Sequence, residues 1–308
     1  MPFPPGPQLQ RVLRRAHPAR SGGLCPGPHN RWLTAHAGAL PGALALDGKF
    51  IRDAVGVLSL VEADTGAPVA LAIVDQKENT PRSEQARAGE VLAAASLDEQ
   101  IVTPATPLHA TREQARTIVG KGGEYVLQIK GNQPQLSALV QRARTVPPPF
   151  FELTDPSRGR VTTWRVSVVV ATPSQADYPG LRSLVLVDKT TVRKRDLTES
   201  CEQRAYASSL APAERSPAQM LALIRGHWGG VEIRNHWRRD ACWREDHSRT
   251  RNINALANLA LLRSVLLRVC AQHWPERPLP HVFESCQHST HISLRAIRSH
   301  SENKRPCP

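Results

Sequence analysis

The residues best equipped for chemistry lie in one stretch: Arg225-Gly-His-Trp-Gly-Gly-Val-Glu232-Ile-Arg-Asn-His236-Trp237-Arg-Arg-Asp240, running on to Trp243-Arg-Glu-Asp246. It holds Trp228, Trp237 and Trp243 out of six tryptophans, two histidines, and a carboxylate among arginines. Charged groups bury poorly unless they are paired, so a stretch of this composition is costly as core alone. Glu232 and His236 are four residues apart and share a helix face. A solvated charged helix with some tryptophan packing is the plain alternative. The reading that uses the residue types is a metal-binding carboxylate at Glu232, with Arg, His and Trp neighbours that grip a polyanion. Cys242 with His236 and His247 fits no usual zinc spacing.

These residues need elements to hold them. Ser216-Pro217 supplies a helix N-cap and an N1 proline. Met220, Leu221, Leu223 and Ile224 follow at helical spacing. Gly229-Gly230 costs that helix roughly 1 kcal/mol per glycine, which predicts a break just before Glu232. A second carboxylate, Asp47, closes the apolar run from Ala43 and is expected at the C-terminal end of a buried strand.

Length and composition bound the answer. A chain of 308 residues with 40% hydrophobic residues is large enough for one or two cores. Its net charge of +13 and isoelectric point near 10.2 favour an acidic partner such as nucleic acid. No apolar run reaches the length needed to span a bilayer, so no membrane partner is expected. The six cysteines form no CxxC pair, as expected of a reduced, cytoplasmic protein.

In chain order, residues 1–30 are Pro-, Gly- and Arg-rich and are expected to be poorly ordered, apart from a short helix around Leu9–Arg15, with the fold beginning near Trp32. Val57–Val61 and Val69–Val74 read as strands joined by a turn at Asp64-Thr65-Gly66. Thr80-Pro81 opens a helix through Ala95. Ile101–Thr103 is a fourth strand. Thr111-Arg-Glu-Gln114 is a capping box whose helix ends at Gly122-Gly123. Tyr125–Ile129 is a fifth strand, followed by a polar loop from Lys130 to Pro134. The order β-β-β-α-β-α-β is that of a ribonuclease-H-like mixed α/β sheet with flanking helices, in which the first and fourth strands are adjacent and parallel. Residues about 140–210 read as a β-rich insertion before the last acidic helix, with strands at Val161–Val170, Leu184–Val187 and Arg204–Ala207. Its basic run, Lys189 to Arg195, is either a solvated loop or a DNA contact through Arg193, Lys194 and Arg195. Ile253, Leu256, Leu259, Leu262, Val265, Leu266 and Val269 form a core-packing helical stripe. The chain after Pro275 reads as weakly structured, with a tail over 299–308.

Three motifs then occur in order: Ala45-Leu-Asp47-Gly48-Lys49; Gly122-Gly123-Glu124-Tyr125-Val-Leu-Gln-Ile-Lys130-Gly131-Asn132-Gln133; and His227-Trp228-Gly229…Glu232-Ile-Arg-Asn235-His236-Trp237…Asp240…Glu245-Asp246…Arg249. Together they resemble the H-repeat-associated DDE transposases of bacterial insertion sequences, over roughly Trp32 to Arg298. The resemblance implies one catalytic domain over 31–298, with three carboxylates that hold two Mg²⁺ ions. Asp47 matches the first and Glu232 the third. The second falls in an Asp-x-Leu-His pattern, which here reads Thr106-Pro107-Leu108-His109. Threonine is a neutral and poor Mg²⁺ ligand, so the site loses one unit of charge, as in a degenerate element copy. The resemblance also implies a longer N-terminal region that assists DNA binding, where this chain has a short proline-rich one.

Three functions follow as expectations. The first is a transposase, expected as a homodimer on double-stranded DNA, that cleaves element ends and transfers strands, with Lys49, Lys130, Arg234 and His236 contacting phosphates or steadying the scissile strand. The second is a catalytically inactive relic that still binds DNA. The third is a metal-dependent nuclease on the same fold.

Overall fold

A computed structural model describes residues 26–37, 40, 42–75, 81–104, 107–131, 133–146, 148–157 and 159–292. The Leu9–Arg15 helix, the 299–308 tail and Thr106 fall outside them. The strands form a mixed nine-stranded sheet in the order β3-β2-β1-β4-β5-β9-β8-β7-β6, flanked by helices. Backbone contacts divide the chain into two compact units, one built from the described residues of 1–41, 45–96 and the segment from Trp228 onward, the other from 42–44 and 97–227.

The first unit begins with helix α1 (Pro26–His36), which starts before the expected boundary at Trp32. Its buried Asn30 explains why: the side-chain amide donates to Leu71 O and its carbonyl accepts from Leu71 N, both at 2.9 Å. These bonds satisfy backbone groups of β3 (Pro68–Asp75), the edge strand of the sheet. β1 (Ala43–Ile51) and β2 (Val55–Glu62) complete the three-stranded start. β1 runs four residues beyond the expected end, so Asp47 sits in mid-strand rather than at its tip. β2 is buried along its whole length, and it pairs antiparallel with β3. Helix α2 (Pro81–Ala94) follows.

The second unit contains β4 (Ile101–Pro104), helix α3 (Arg112–Gly120) and β5 (Glu124–Gln128). Ile101 N donates to Gly42 O and Thr103 Oγ1 to Leu44 O. The bonds advance in step along both chains, so β4 runs parallel to the start of β1, as a ribonuclease-H-like sheet requires. Thr111 caps α3 by accepting from Gln114 N.

Helix α4 (Pro134–Thr145) stands where only a polar loop and a change of pattern were legible. Pro134 reads as a breaker, yet at a helix start its missing N–H costs nothing. The insertion holds β6 (Phe151–Asp155), β7 (Arg160–Val170), the short helix α5 (Pro173–Ala176), β8 (Ser183–Arg193) and β9 (Glu199–Ser208). β9 pairs antiparallel with β5, so these strands extend the same sheet. The expected basic loop is mostly strand: Lys189–Arg193 is the end of β8, and only Lys194 and Arg195 lie in the turn to β9. This end of β8 has no apolar alternation to read. It is held by backbone pairing on both sides, with Thr190 and Thr191 opposite Thr163 and Thr162 of β7. Helix α6 (Pro217–Trp228) packs Met220, Leu221 and Ile224 on Val126, Val185 and Tyr206.

Back in the first unit, the helix does not break at Gly229-Gly230. It continues as a π-helix (Gly229–Trp237) and then as α7 (Arg238–Trp243). The glycines serve a close approach. A Cβ on Gly230 would lie 2.6 Å from Ala63 O in the β2–β3 turn. Across the same contact, Gly66, at φ +71°, sits so near Arg234 that a Cβ would meet its Cβ at 2.6 Å. Asn235 Nδ2 donates to Gly66 O at 2.9 Å, and Arg238 Nη1 to Thr65 O at 3.0 Å.

Helix α8 (Ile253–His273) buries Leu256, Ala257, Ala260 and Leu261 against Val57, Leu71 and Ile73. Contrary to expectation, it is long and apolar enough to cross a bilayer by length and composition, interrupted only by Arg263 and Arg268. However, 61% of its most apolar window is buried inside the protein. Its buried Arg268 pairs with Glu62 and donates to Pro68 O and Ala67 O, so this helix also grips the β2–β3 turn. Helix α9 (Leu279–His288) occupies the segment expected to be weakly structured, with Leu279 and Val282 packed on Leu267 and Cys270.

The glycine contact is testable. Glycine to alanine normally stabilises a helix by roughly 1 kcal/mol. Gly230→Ala should instead destabilise the protein by about 1–3 kcal/mol in chemical denaturation, because overpacking wins. Gly229→Ala, whose Cβ would meet only the end of the Arg234 side chain, should be close to neutral. Stabilisation by Gly230→Ala would refute the close approach.

Candidate functional site

Residues 45, 47 and 49 of β1 share one face of the strand because side chains alternate with period two. Each meets a different part of the helical segment. Ala45 packs with Val61 and Val231. Asp47 lies beside Glu232 and His236. Lys49 reaches Asp240 and Asp246. The spacing is natural: two strand residues advance about 6.6 Å, and one helical turn rises about 5.4 Å. Successive turns therefore face successive residues of the strand.

Asp47, Glu232 and His236 each offer a ligand atom, and these atoms lie within 4.8 Å of one another. Asp47 and His236 are buried, while Glu232 is exposed. His236 Nδ1 lies 4.0 Å from Asp47 Oδ2, and His236 Nε2 is buried without a hydrogen-bond partner among the described residues. Burial, then the charges of Arg239 and Lys49, hold the His236 imidazole down to about 3. The ring is thus neutral near pH 7 and has a lone pair to give. Two carboxylates and one neutral imidazole, with one member open to solvent, form a donor set that suits a divalent cation.

The structure thus brings together Asp47 and Glu232, the two carboxylates expected to act jointly. It places His236 beside them. Lys49 lies on the same strand face, against two carboxylates. Its side chain is 8% exposed, and its ammonium lies 2.7 Å from Asp240 and 3.0 Å from Asp246. These contacts link α7 and the following turn to β1. Arg234 is exposed, with Nη1 3.4 Å from Ala63 O. Lys130, Arg193, Lys194 and Arg195 are exposed in the second unit.

Two structural groups in the third motif were not assigned from sequence. Arg239 and Glu245 are fully buried and joined by contacts of 2.8 and 2.9 Å, with Arg263 3.4 Å from the same carboxylate. The clustering of opposite charges over Arg238–Asp246 was the available signal, since buried charges must be paired.

Removing one partner of a buried pair strands the other. Asp240→Asn with Asp246→Asn leaves the buried Lys49 ammonium uncompensated and should cost about 3–5 kcal/mol in chemical denaturation. Lys49→Met should cost less, because the two carboxylates are 37% and 41% exposed. The opposite order would mean that the ammonium is solvated and available to a ligand.

Comparison with known proteins agrees with the motifs. A family model described as "Transposase DDE domain" matches residues 47–269, starting at Asp47 and spanning Glu232. An uncharacterised protein from the dhlA 3′ region of Xanthobacter autotrophicus is 29% identical over 179 residues, covering 54% of this chain and 59% of that one. The putative protein YbfL of Escherichia coli is 24% identical over 252 residues, and the H repeat-associated putative transposase YhhI of the same organism is 23% identical over 252. Both cover 73% of this chain and 63% of the relative, so the chain spans about six-tenths of the length of the relatives it matches. Among solved structures, a piggyBac transposase synaptic complex with hairpin DNA matches 82% of this chain and 58% of that one, at 9% identity and a TM-score of 0.33. With a family match over most of its length and the two end carboxylates of the motif side by side, the chain belongs to the DDE-domain transposase family.

Proposed function

We propose that this chain is the catalytic domain, over 31–298, of an insertion-sequence transposase. It binds double-stranded element-end DNA on a fold whose site serves divalent-metal strand cleavage and transfer, an activity that Thr106 reduces in this copy. The observation that carries this reading is the convergence of Asp47 and Glu232, distant in sequence, within 4.8 Å of each other. Asp47 and Glu232 would hold the divalent metal, expected to be Mg²⁺, whose chemistry when bound would be activation of a water or 3′-hydroxyl and stabilisation of the leaving oxygen. The exposed Lys130, Arg234, Arg193, Lys194 and Arg195 are assigned to DNA phosphates, and the active form to a homodimer on DNA in the bacterial cytoplasm.

Thr106 weakens this site, because a neutral hydroxyl stands where the family pattern has a carboxylate. This favours a copy with little Mg²⁺-dependent activity that still binds DNA. Cleavage of element-end DNA in Mg²⁺ should therefore be slight for the natural chain. It should rise in Thr106→Asp and vanish again when Glu232→Gln is added. Robust Mg²⁺ cleavage by the natural chain, lost in Asp47→Asn, would overturn the assignment of Thr106.

DNA affinity should fall steeply with salt through counterion release. Replacing Arg193, Lys194 and Arg195 with alanine should flatten that slope in a binding titration. An unchanged slope would make the β8–β9 turn a solvated surface.

A further inference from the structure

We infer that His236 is a direct metal ligand, and that the site it completes with Asp47 and Glu232 prefers Mn²⁺ to Mg²⁺. This rests on the metal-site reading above and names the ion and the third donor.

The structural role open to a buried histidine is to be hydrogen-bonded. His236 is 7% exposed, yet its Nε2 has no hydrogen-bond partner among the described residues. Nδ1 is 4.0 Å from Asp47 Oδ2, beyond the roughly 3.2 Å limit of an N–H···O bond. An unmet polar atom in the interior costs free energy, so the position requires another explanation.

The geometry supplies one. Donors sit about 2.0–2.2 Å from a small divalent cation, so two donors on one ion are at most about 4.4 Å apart. The Nδ1–Oδ2 separation falls inside that limit. The spread of 4.8 Å across the three donors needs only a slight closure, available to the exposed Glu232 side chain. Asp47 is fixed in mid-strand and His236 in the π-helix. The close approach at Gly230 and the Lys49–Asp240 pair hold those elements on either side of the site.

The donor set determines the preference. Mg²⁺ takes hard oxygen ligands. Imidazole suits transition ions, and among ions that also accept carboxylate and water, Mn²⁺ tolerates the mixture. A site whose donors include an imidazole beside two carboxylates is shifted away from Mg²⁺.

The test is metal binding by the full chain without DNA. Isothermal titration should show Mn²⁺ binding at least tenfold tighter than Mg²⁺. Electron spin-echo spectroscopy of bound Mn²⁺ should show ¹⁴N modulation from a coordinated imidazole. His236→Asp, an oxygen donor, should abolish the ¹⁴N signal and narrow the Mn²⁺-over-Mg²⁺ preference at least fivefold. Bound Mn²⁺ without ¹⁴N coupling would overturn the assignment on the natural chain alone, whatever the variant's stability. So would equal affinities for the two ions, or no Mn²⁺ binding at millimolar concentration. Asp47→Asn and Glu232→Gln separate the two readings. If they abolish metal binding while ¹⁴N coupling is absent, the carboxylate site stands and the histidine ligand fails. If neither affects binding, both fail.

Discussion

The first unit depends on one close approach, that of the π-helix to the β2–β3 turn. Gly230 lies on the backbone of Ala63, and Gly66 lies against Arg234. Neither contact leaves room for a side chain. Polar groups then complete the seam. Asn235 and Arg238 donate to carbonyls of the turn from one side, and Arg268 donates from α8 on the other. A turn gripped from both sides sets the height of the helix over β1, and so brings Glu232 and His236 opposite Asp47. π-Helical geometry is uncommon and recurs at functional sites; here it lies directly over the carboxylate pair.

Charge plays two distinct roles in the molecule. Around the third motif it is internal and structural. Lys49 is held by Asp240 and Asp246, and Glu245 by Arg239 and Arg263. These pairs tie α7 and the following turn to β1 and to α8. Ion pairs of this kind are weak evidence of stability in themselves, but breaking one leaves a desolvated charge behind, which enforces one arrangement of the helices. The net charge of +13 is carried instead by exposed residues such as Lys130 and Arg193 to Arg195, available to a polyanion at long range.

Within the cluster, the donors are unequal. Asp47 and His236 are buried on rigid elements, whereas Glu232 is open to solvent. The buried pair is held in place by its elements, and the exposed carboxylate is free to adjust.

Much of this was legible in the linear chain. Alternating and continuous apolar runs marked β1 to β5, Thr111 marked the start of α3, and the three motifs singled out Asp47 and Glu232. These are local signals, or matches to a pattern, and they need no knowledge of neighbours. Other features depended on what each residue meets in space. Gly229-Gly230 reads as a helix break because isolated glycine disfavours helix; only the presence of Ala63 at 2.6 Å shows that it permits contact. Lys49 and His236 read as groups that contact phosphates or steady the scissile strand because their types suit those roles. Only the fold shows that Lys49 lies against Asp240 and Asp246, and His236 beside Asp47. The polar half of β8 has no apolar period, since its stability comes from pairing with β7 and β9. Residue type and spacing determined which groups were available for chemistry. Tertiary packing decided which were spent on structure and which remained at the site, because a charge or a glycine acquires its role from its partner.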